Sequence, residues 1–400
     1  MSLRIAFVHP VLGLGGAERL VVDAALEMQA RGHRVVIFTA ELDRERAFPA
    51  TVDGSLEVRV HGDFIPLTLG GRAQAACTLA RLGVLAAAVA RDAEGFDVVV
   101  CDIVPHAVPL LRRLTRARRS KIVYYCLFPD FLLAPSRRRG LYRLYRAPID
   151  WFELRAMRSA DRVLVNSRFT AGVLADLGLP VHEVVYPGID VGAYAGVAEA
   201  PRERAVILSI GRFDDRKNHL LSVEALARLR WLVPPADFDR VELIIAGGYD
   251  PHLRESAETV RAIERRAREL SVDGKLRLCR SPGEPERLAF LAQARCVVHP
   301  MSGEHFGLVP VEAMAAGRPV VAAASGGPLE TVVDGETGFL RPATPAAFAE
   351  ALATLVTDAD GAARMGRASR LRARRFSRAV FGDAFEASLS RAVGRGDLAR

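Results

Sequence analysis

The chain runs to 400 residues, too many for one ordinary hydrophobic core; half are hydrophobic and 26% charged, which excludes a disordered protein and makes two domains the expectation. Its 55 basic and 47 acidic residues leave a net charge of +8, suited to phosphorylated substrates or anionic lipid, and the arginines lack interleaved aromatics, which argues against nucleic acid. The five cysteines (77, 101, 126, 279, 296) show no paired short spacing, so no disulfide framework or zinc site is expected and a reducing compartment fits.

Leu3–His9 is a short apolar run that reads as a strand, not as a signal peptide. A Gly-rich turn, Gly13-Leu14-Gly15-Gly16, leads into a helix from about Ala17 to Ala30, whose apolar face is Leu20, Val21, Ala24, Ala25 and Met28. Gly32 closes that helix and Arg34–Thr39 is the next strand, a β-loop-α-β unit of the kind that builds parallel sheets. The most apolar long segment, Ala73 to Ala90, is interrupted by Arg81 and is short of the roughly 20 apolar residues of a membrane span. It reads as a buried helix, with an interfacial helix as the alternative.

Strands follow at Asp97–Cys101, Lys121–Tyr125 and Arg162–Asn166. Tyr186-Pro187-Gly188-Ile189-Asp190 breaks the pattern, and the stretch to about Arg204 reads as a linker. A second alternation places strands at Ala205–Ile210, Glu242–Ala246, Lys275–Leu278, Cys296–His299 and Pro319–Ala323. Its helices lie near Lys217–Arg230, Leu253–Leu270, Pro285–Ala294, Pro310–Ala316 and Thr344–Val356, and a last helix spans Phe376 to Val393. Short, continuous apolar strands imply sheets covered on both faces. The pattern spells two doubly wound α/β domains, 1–195 and 196–375, followed by a C-terminal helix, 376–400. Ligands of such sheets sit outside the carboxyl ends of the strands, and with two domains the natural site is the cleft between them.

Three groups of residues point to chemistry. The first glycine turn departs from the dinucleotide fingerprint, because Glu18 stands where the third glycine belongs and no acid ends the next strand, so NAD is disfavoured. Gly15 and Gly16 suit close approach of backbone to a ligand. After the strand ending at Ile210 come Gly211, Arg212 and Lys217; lysine occurs only at 121, 217 and 275, and an Arg fork with a Lys point charge suits a diphosphate. Glu304 and Glu312, seven residues apart, bracket a loop and the start of a helix, where amides attract phosphate and carboxylates can hold hydroxyls. A dipole-complementing acid and a solvated acid would also account for that pair alone. No Asp-x-Asp motif accompanies these residues, Asp214 and Asp215 being adjacent, so metal-independent chemistry is expected.

Gly211-Arg212 with Lys217, the Glu304/Glu312 pair, Gly326-Gly327-Pro328-Leu329-Glu330 and Asp334-Gly335-Glu336-Thr337-Gly338-Phe339 together resemble glycosyltransferase family 4, a retaining family that uses nucleotide sugars. His9-Pro10 through Leu20, the Arg143–Trp151 block, Val165–Thr170, Ala246–Asp250 and Glu304–Gly307 are similar to its branch of α-1,3/α-1,6-mannosyltransferases of dolichol-linked oligosaccharide assembly. The matches run from residue 9 to about 339. The resemblance implies the GT-B fold, two Rossmann-like domains facing a cleft with the C-terminal helix returning toward the first. It implies GDP-mannose as donor, a lipid-diphosphate-linked oligosaccharide as acceptor, and peripheral association with the cytoplasmic face of a membrane. By matching position, Arg212 and Lys217 would bind the donor diphosphate, Glu304 the sugar hydroxyls and Glu312 the ribose. Gly211 and the backbone of Phe306, Gly307 and Leu308 would meet sugar and phosphate; Gly15 and Gly16 would face the diphosphate from the first domain.

One departure stands out: Leu127 occupies the place of a histidine that in the family touches the donor sugar. His106 is the nearest substitute, and His9 reads as structural or cleft-lining. The apolar run Phe128, Phe131, Leu132 and Leu133 with Arg137–Arg139 is the candidate membrane contact, a loop packed on its own domain being the alternative. Two other functions stay open: a UDP-sugar-dependent hexosyltransferase, and a catalytically impaired nucleotide-sugar-binding homologue, which Leu127 suggests.

Overall fold

The computed structural model describes residues 2–13, 15–45, 47–68, 73–133, 141–201 and 203–394, with the backbone alone at 141–143 and 145. It divides into two compact units, Met1–Gly188 with Arg378–Arg400, and Ile189–Ser377. The run Arg137–Arg139 lies outside the described residues.

The first unit is built on seven parallel strands: β1 (Arg4–His9), β2 (Arg34–Thr39), β3 (Glu57–Val60), β4 (Val98–Asp102), β5 (Lys121–Cys126), β6 (Arg162–Val165) and β7 (Glu183–Val184), in the spatial order 3-2-1-4-5-6-7. Its central strands are buried on both faces, with Ile5, Phe7, Val98, Val100 and Val123 toward one apolar layer and Ala6, Val8, Val99 and Ile122 toward the other. That two-sided burial is the physical content of their continuous apolar runs. The edge strands β3 and β7 escaped the sequence reading because they are short and half-exposed, so neither alternation nor a long apolar run marks them.

The Gln74–Arg91 helix packs Cys77, Leu82, Leu85, Ala86 and Val89 inward, which settles it as a buried helix. Arg81 is buried with it, its Nη1 paired to Glu41 Oε2 at 2.7 Å and its Nε donating to the Ile65 carbonyl at 2.7 Å. Among the described residues no helix is long and apolar enough to cross a membrane. The last helix, Arg378–Ala392, belongs to this first unit: Phe381, Phe385 and Leu389 fill the layer around Phe7 and Tyr125, and Arg378 pairs with Asp23 at 3.0 Å. Each such buried side chain contributes on the order of 2 kcal/mol.

The second unit carries six parallel strands: β8 (Ala205–Ile210), β9 (Val241–Gly247), β10 (Leu276–Arg280), β11 (Ala294–His299), β12 (Val320–Ala323) and β13 (Gly338–Arg341), in the order 10-9-8-11-12-13. The helix expected from Pro310 begins two residues earlier and spans Leu308–Ala315, because Gly307 takes φ +91° and turns the chain straight into it. The helix expected at Lys217 begins at His219 after a 3-10 turn over Asp215–Lys217, capped by Asp214. The Ala359–Ala373 helix went unread, since its Ala, Gly and Arg residues give little contrast between faces.

Candidate active site

In the second unit the strand order reverses between β8 and β11, the place where open α/β sheets leave a crevice at the carboxyl ends of their strands. The loop after β8 carries Gly211, Arg212 and Lys217, and the loop after β11 carries Glu304. Strand adjacency thus brings together residues 87 apart in sequence: Lys217 Nζ lies 2.7 Å from Glu304 Oε2. His299, the last residue of β11, places its Nε2 3.1 Å from the same oxygen.

Burial pushes the Glu304 carboxyl up, but the hydrogen bond from His299 and the Lys217 charge more than reverse it and hold it far below the usual carboxylate range. It is an anion at any physiological pH. A carboxylate offers about four lone-pair sites. Oε2 uses two, for Lys217 and His299, and Oε1 takes the His305 N–H at 3.2 Å, which leaves one acceptor site on Oε1 for a ligand hydroxyl. The Lys217 stem lies against Gly211, where a Cβ would press on it at 3.0 Å. His219, pushed down to about 4 by burial, is neutral; it meets Ser209 Oγ at 3.0 Å and the Arg212 carbonyl at 3.2 Å, fixing that turn. Arg212 itself is largely exposed and pairs with Asp214 at 3.0 Å.

Glu312 sits within the Leu308–Ala315 helix, beyond its first turn, and does not serve as a dipole-complementing acid. Its Oε2 takes Arg287 Nη1 at 2.6 Å, and Arg287 Nη2 reaches the Tyr194 hydroxyl at 3.2 Å. Phe306 is buried edge-on against Phe376, and Leu308 opens the helix, so its amide is one of the first-turn donors without an intrahelical partner. Sequence reasoning missed His299 and Arg287. A polar residue ending a buried strand at the crevice was a readable signal for His299; nothing local marks Arg287.

In the first unit, Gly15 caps the Gly16–Ala30 helix; a Cβ at Gly15 would overlap the Glu18 carboxylate, whereas Gly16 is open. His9 ends β1 and holds Asp102, at the end of β4, through Nδ1 at 2.8 Å, with both side chains buried. Burial lowers the His9 value, and the facing Asp102 carboxylate more than reverses this, so His9 titrates above its ordinary value. His106 is turned into its own unit: Nε2 lies 3.3 Å from the Ile149 carbonyl and the ring packs on Phe152. Of the expected membrane-contact residues, Phe131 is buried and Phe128 stacks on Phe169, because the short Asp130–Leu133 helix packs on its own unit.

That packing rests on a polar cluster. Arg146 pairs with Asp130 and Asp150, both at 2.9 Å, and Glu153 Oε1 accepts the Asp130 amide at 2.8 Å. Glu153 is fully buried, its Oε2 has no partner, and burial followed by the Asp130 charge raises it to about 8. The folded value lies above the unfolded one, so this group's stabilising contribution is complete at acid pH and lost as pH rises through about 8. The difference amounts to a few kcal/mol. Glu153→Gln is therefore expected to melt several °C above the parent at pH 9 and close to it at pH 5, by thermal denaturation in matched buffers.

Residues 14–193 match the profile of Glycosyltransferase Family 4 and residues 194–372 that of Glycosyl transferases group 1. The α-1,3/1,6-mannosyltransferase ALG2 of Homo sapiens is 41% identical over 392 residues, covering 94% of this chain and 93% of the human one. The chain belongs to glycosyltransferase family 4, in its α-1,3/1,6-mannosyltransferase branch. It is a glycosyltransferase. The Saccharomyces cerevisiae ALG2 enzyme is 32% identical over 436 residues, covering 97% of this chain and 85% of its own. Among solved structures, the sucrose-phosphate synthase of Thermosynechococcus elongatus superposes with a TM-score of 0.79 at 22% identity, covering 98% of this chain and 99% of that one. Anabaena HepE in complex with UDP and glucose gives 0.73 at 22% identity, covering 97% and 100%. These likenesses establish the GT-B fold of the family.

Proposed function

We propose that this glycosyltransferase moves mannose from GDP-mannose to a lipid-diphosphate-linked oligosaccharide, forming α-1,3 or α-1,6 linkages with retention. The branch it belongs to supports mannose as the sugar, and the observation that carries the site is the Lys217–Glu304 contact at 2.7 Å beside the strand-order reversal. Lys217 and Arg212 bind the donor diphosphate, with Gly211 keeping the turn close. Glu304 takes a sugar hydroxyl at its remaining acceptor site. Glu312, held by Arg287, binds the ribose, and the backbone of Phe306, Gly307 and Leu308 meets sugar and phosphate at the helix start. Gly15 and Gly16 are assigned to the diphosphate as backbone contacts.

In this reading the bond from the anomeric carbon to the diphosphate oxygen breaks, and the acceptor hydroxyl bonds to that carbon on the same face. The acceptor proton passes to the leaving diphosphate. Lys217 and Arg212 stabilise the charge that develops on the leaving group, a role that needs no divalent ion. The test is incubation with radiolabelled GDP-mannose and lipid-linked acceptors, with and without EDTA. Labelled lipid product in both arms is expected; transfer from UDP-glucose alone would overturn the donor, and complete loss in EDTA would overturn the metal-independent chemistry.

With a lipid-linked acceptor the protein would work peripherally at a membrane, and we assign it to the cytoplasmic face. Support comes from the Leu141–Arg158 helix, which exposes Leu144 (72%) and Trp151 (63%) on one face, with Arg155 and Arg158 exposed farther along it. Arg155 lies over the Trp151 ring at 6.0 Å. An apolar stripe with Trp and flanking arginines suits an anionic interface. In a Trp231→Phe background, Trp151 emission is expected to shift to the blue on adding phosphatidylglycerol vesicles. Trp151→Ala should weaken co-sedimentation about tenfold; unchanged emission and sedimentation would remove this face from the membrane.

A further inference from the structure

At the amino-terminal edge of the second unit's sheet, away from Glu304, four arginines converge. Arg295, Arg318, Arg367 and Arg370 line a cavity of about 60 Å³, and Glu199 is the one acid among its lining residues. Arg295 is the extra residue of a bulge: Ala294 pairs with Val206 and Cys296 with Ile207, so two steps on β11 oppose one on β8. Bulges re-aim side chains and gather near functional sites. Here the bulge carries a guanidinium, only 5% exposed, in a buried strand that is apolar from there to His299 at its far end. Arg318, 3% exposed, donates to the Leu291 carbonyl at 2.8 Å, to Ala292 at 3.3 Å and to Ala198.

Arg370 donates through Nη2 to Val197 at 2.8 Å and Ala316 at 3.1 Å, while its Nε is buried without an acceptor. Arg367 pairs with Glu199 at 3.1 Å on the exposed rim. Backbone carbonyls satisfy donors but cancel no charge, and buried charge is costly unless countered. Burial, followed by the like charge of Arg370, pushes Arg318 down to about 10 in spite of Glu199. On the far wall, Gly366 packs its Cα against the Gly317 backbone, so the helix face beside the arginines is stripped of bulk.

We propose that this cavity binds one phosphate group, held by Arg318, Arg367 and Arg370 with Arg295 supplying field from below. Its size admits a single tetrahedral oxyanion and is far below that of a nucleotide-sized pocket. The oxyanion bridges the Ala359–Ala373 helix to the 197–200 segment, and its source is free phosphate or the headgroup of a phosphorylated lipid. The assignment is independent of the donor site, which lies on the other edge of the sheet.

Thermal denaturation with inorganic phosphate, chloride holding ionic strength constant, tests it. A ligand that binds only the folded state raises stability with concentration, and a rise of several °C at millimolar phosphate is expected. The rise should persist in Lys217→Ala and disappear in Arg370→Gln. Arg367→Gln, on the exposed rim, keeps the fold should Arg370→Gln not, and should reduce the rise several-fold. Phosphatidic acid vesicles against phosphatidylcholine vesicles identify the source: sedimentation that depends on Arg367 assigns the site to a lipid headgroup. A phosphate response that Lys217→Ala abolishes and Arg367→Gln leaves intact overturns the proposal, as does no response to phosphate or to phosphatidic acid.

Discussion

Lys217→Ala and Glu304→Ala are each expected to lower the transfer rate at saturating donor by a hundredfold or more, with the fold retained. In the proposed mechanism the first removes a point charge from beside the leaving diphosphate, which accumulates negative charge in the transition state, a loss of a few kcal/mol. The second removes the proposed hydroxyl acceptor and leaves Lys217 and His299 facing each other without the carboxylate they share at 2.7 and 3.1 Å. Because the two side chains act as a unit, the double variant should cost little more than either single one. Both pair members keep some solvent access, so the melting temperature should fall by only a few °C. Steady-state transfer with far-UV circular dichroism checks this; near-normal turnover in either folded variant would remove the donor-site assignment.

Gly327→Ala should damage the same site without touching any functional side chain. A Cβ at Gly327 would overlap the Phe306 carbonyl oxygen and Cα, and one at Gly326 would overlap the Glu304 carbonyl. Gly327 also donates its amide to the Glu304 carbonyl at 2.7 Å. These are backbone-to-backbone contacts with no flexible side chain to yield, so the Glu304–Phe306 loop must shift. The expected result is at least about 3 kcal/mol of lost stability and activity reduced a hundredfold or more. Gly303→Ala is the contrasting variant: Gly303 has φ +68° but open space around it, so only left-handed strain, about 1 kcal/mol, is expected there. Chemical denaturation and the transfer assay on both variants separate the cases; because Gly327 itself has φ −58°, which any residue adopts, equal effects would show that close approach adds nothing there.

The elements of both sheets were readable because parallel strands covered on two faces must be continuously apolar, as β1, β4, β8 and β11 are. The edge strands β3, β7 and β13 and the Ala359–Ala373 helix were not, since each buries too narrow a stripe to impose a pattern. Lys217 and Glu304 were identifiable as residue types following strand ends, and the glycine pair 326–327 as part of a family motif. The partners that set their electrostatics were not: His299 on Glu304 and Arg287 on Glu312 come from other segments, and their pairing depends on which strands and helices lie side by side.

By itself, then, the sequence determined two doubly wound α/β layers, the loops that end β8 and β11, and the carboxylates and cations those loops carry, because periodicity and turn chemistry act over a few residues. Only the tertiary structure decided that β8 lies beside β11, so that Lys217 and Glu304, 87 residues apart, share one contact. It alone turned His106 into the core, buried Phe131, locked Arg146 between Asp130 and Asp150, and gathered four arginines around one cavity. Charge pairing is a property of distance in space, and strand order, which sets that distance, is written in no local stretch of the chain.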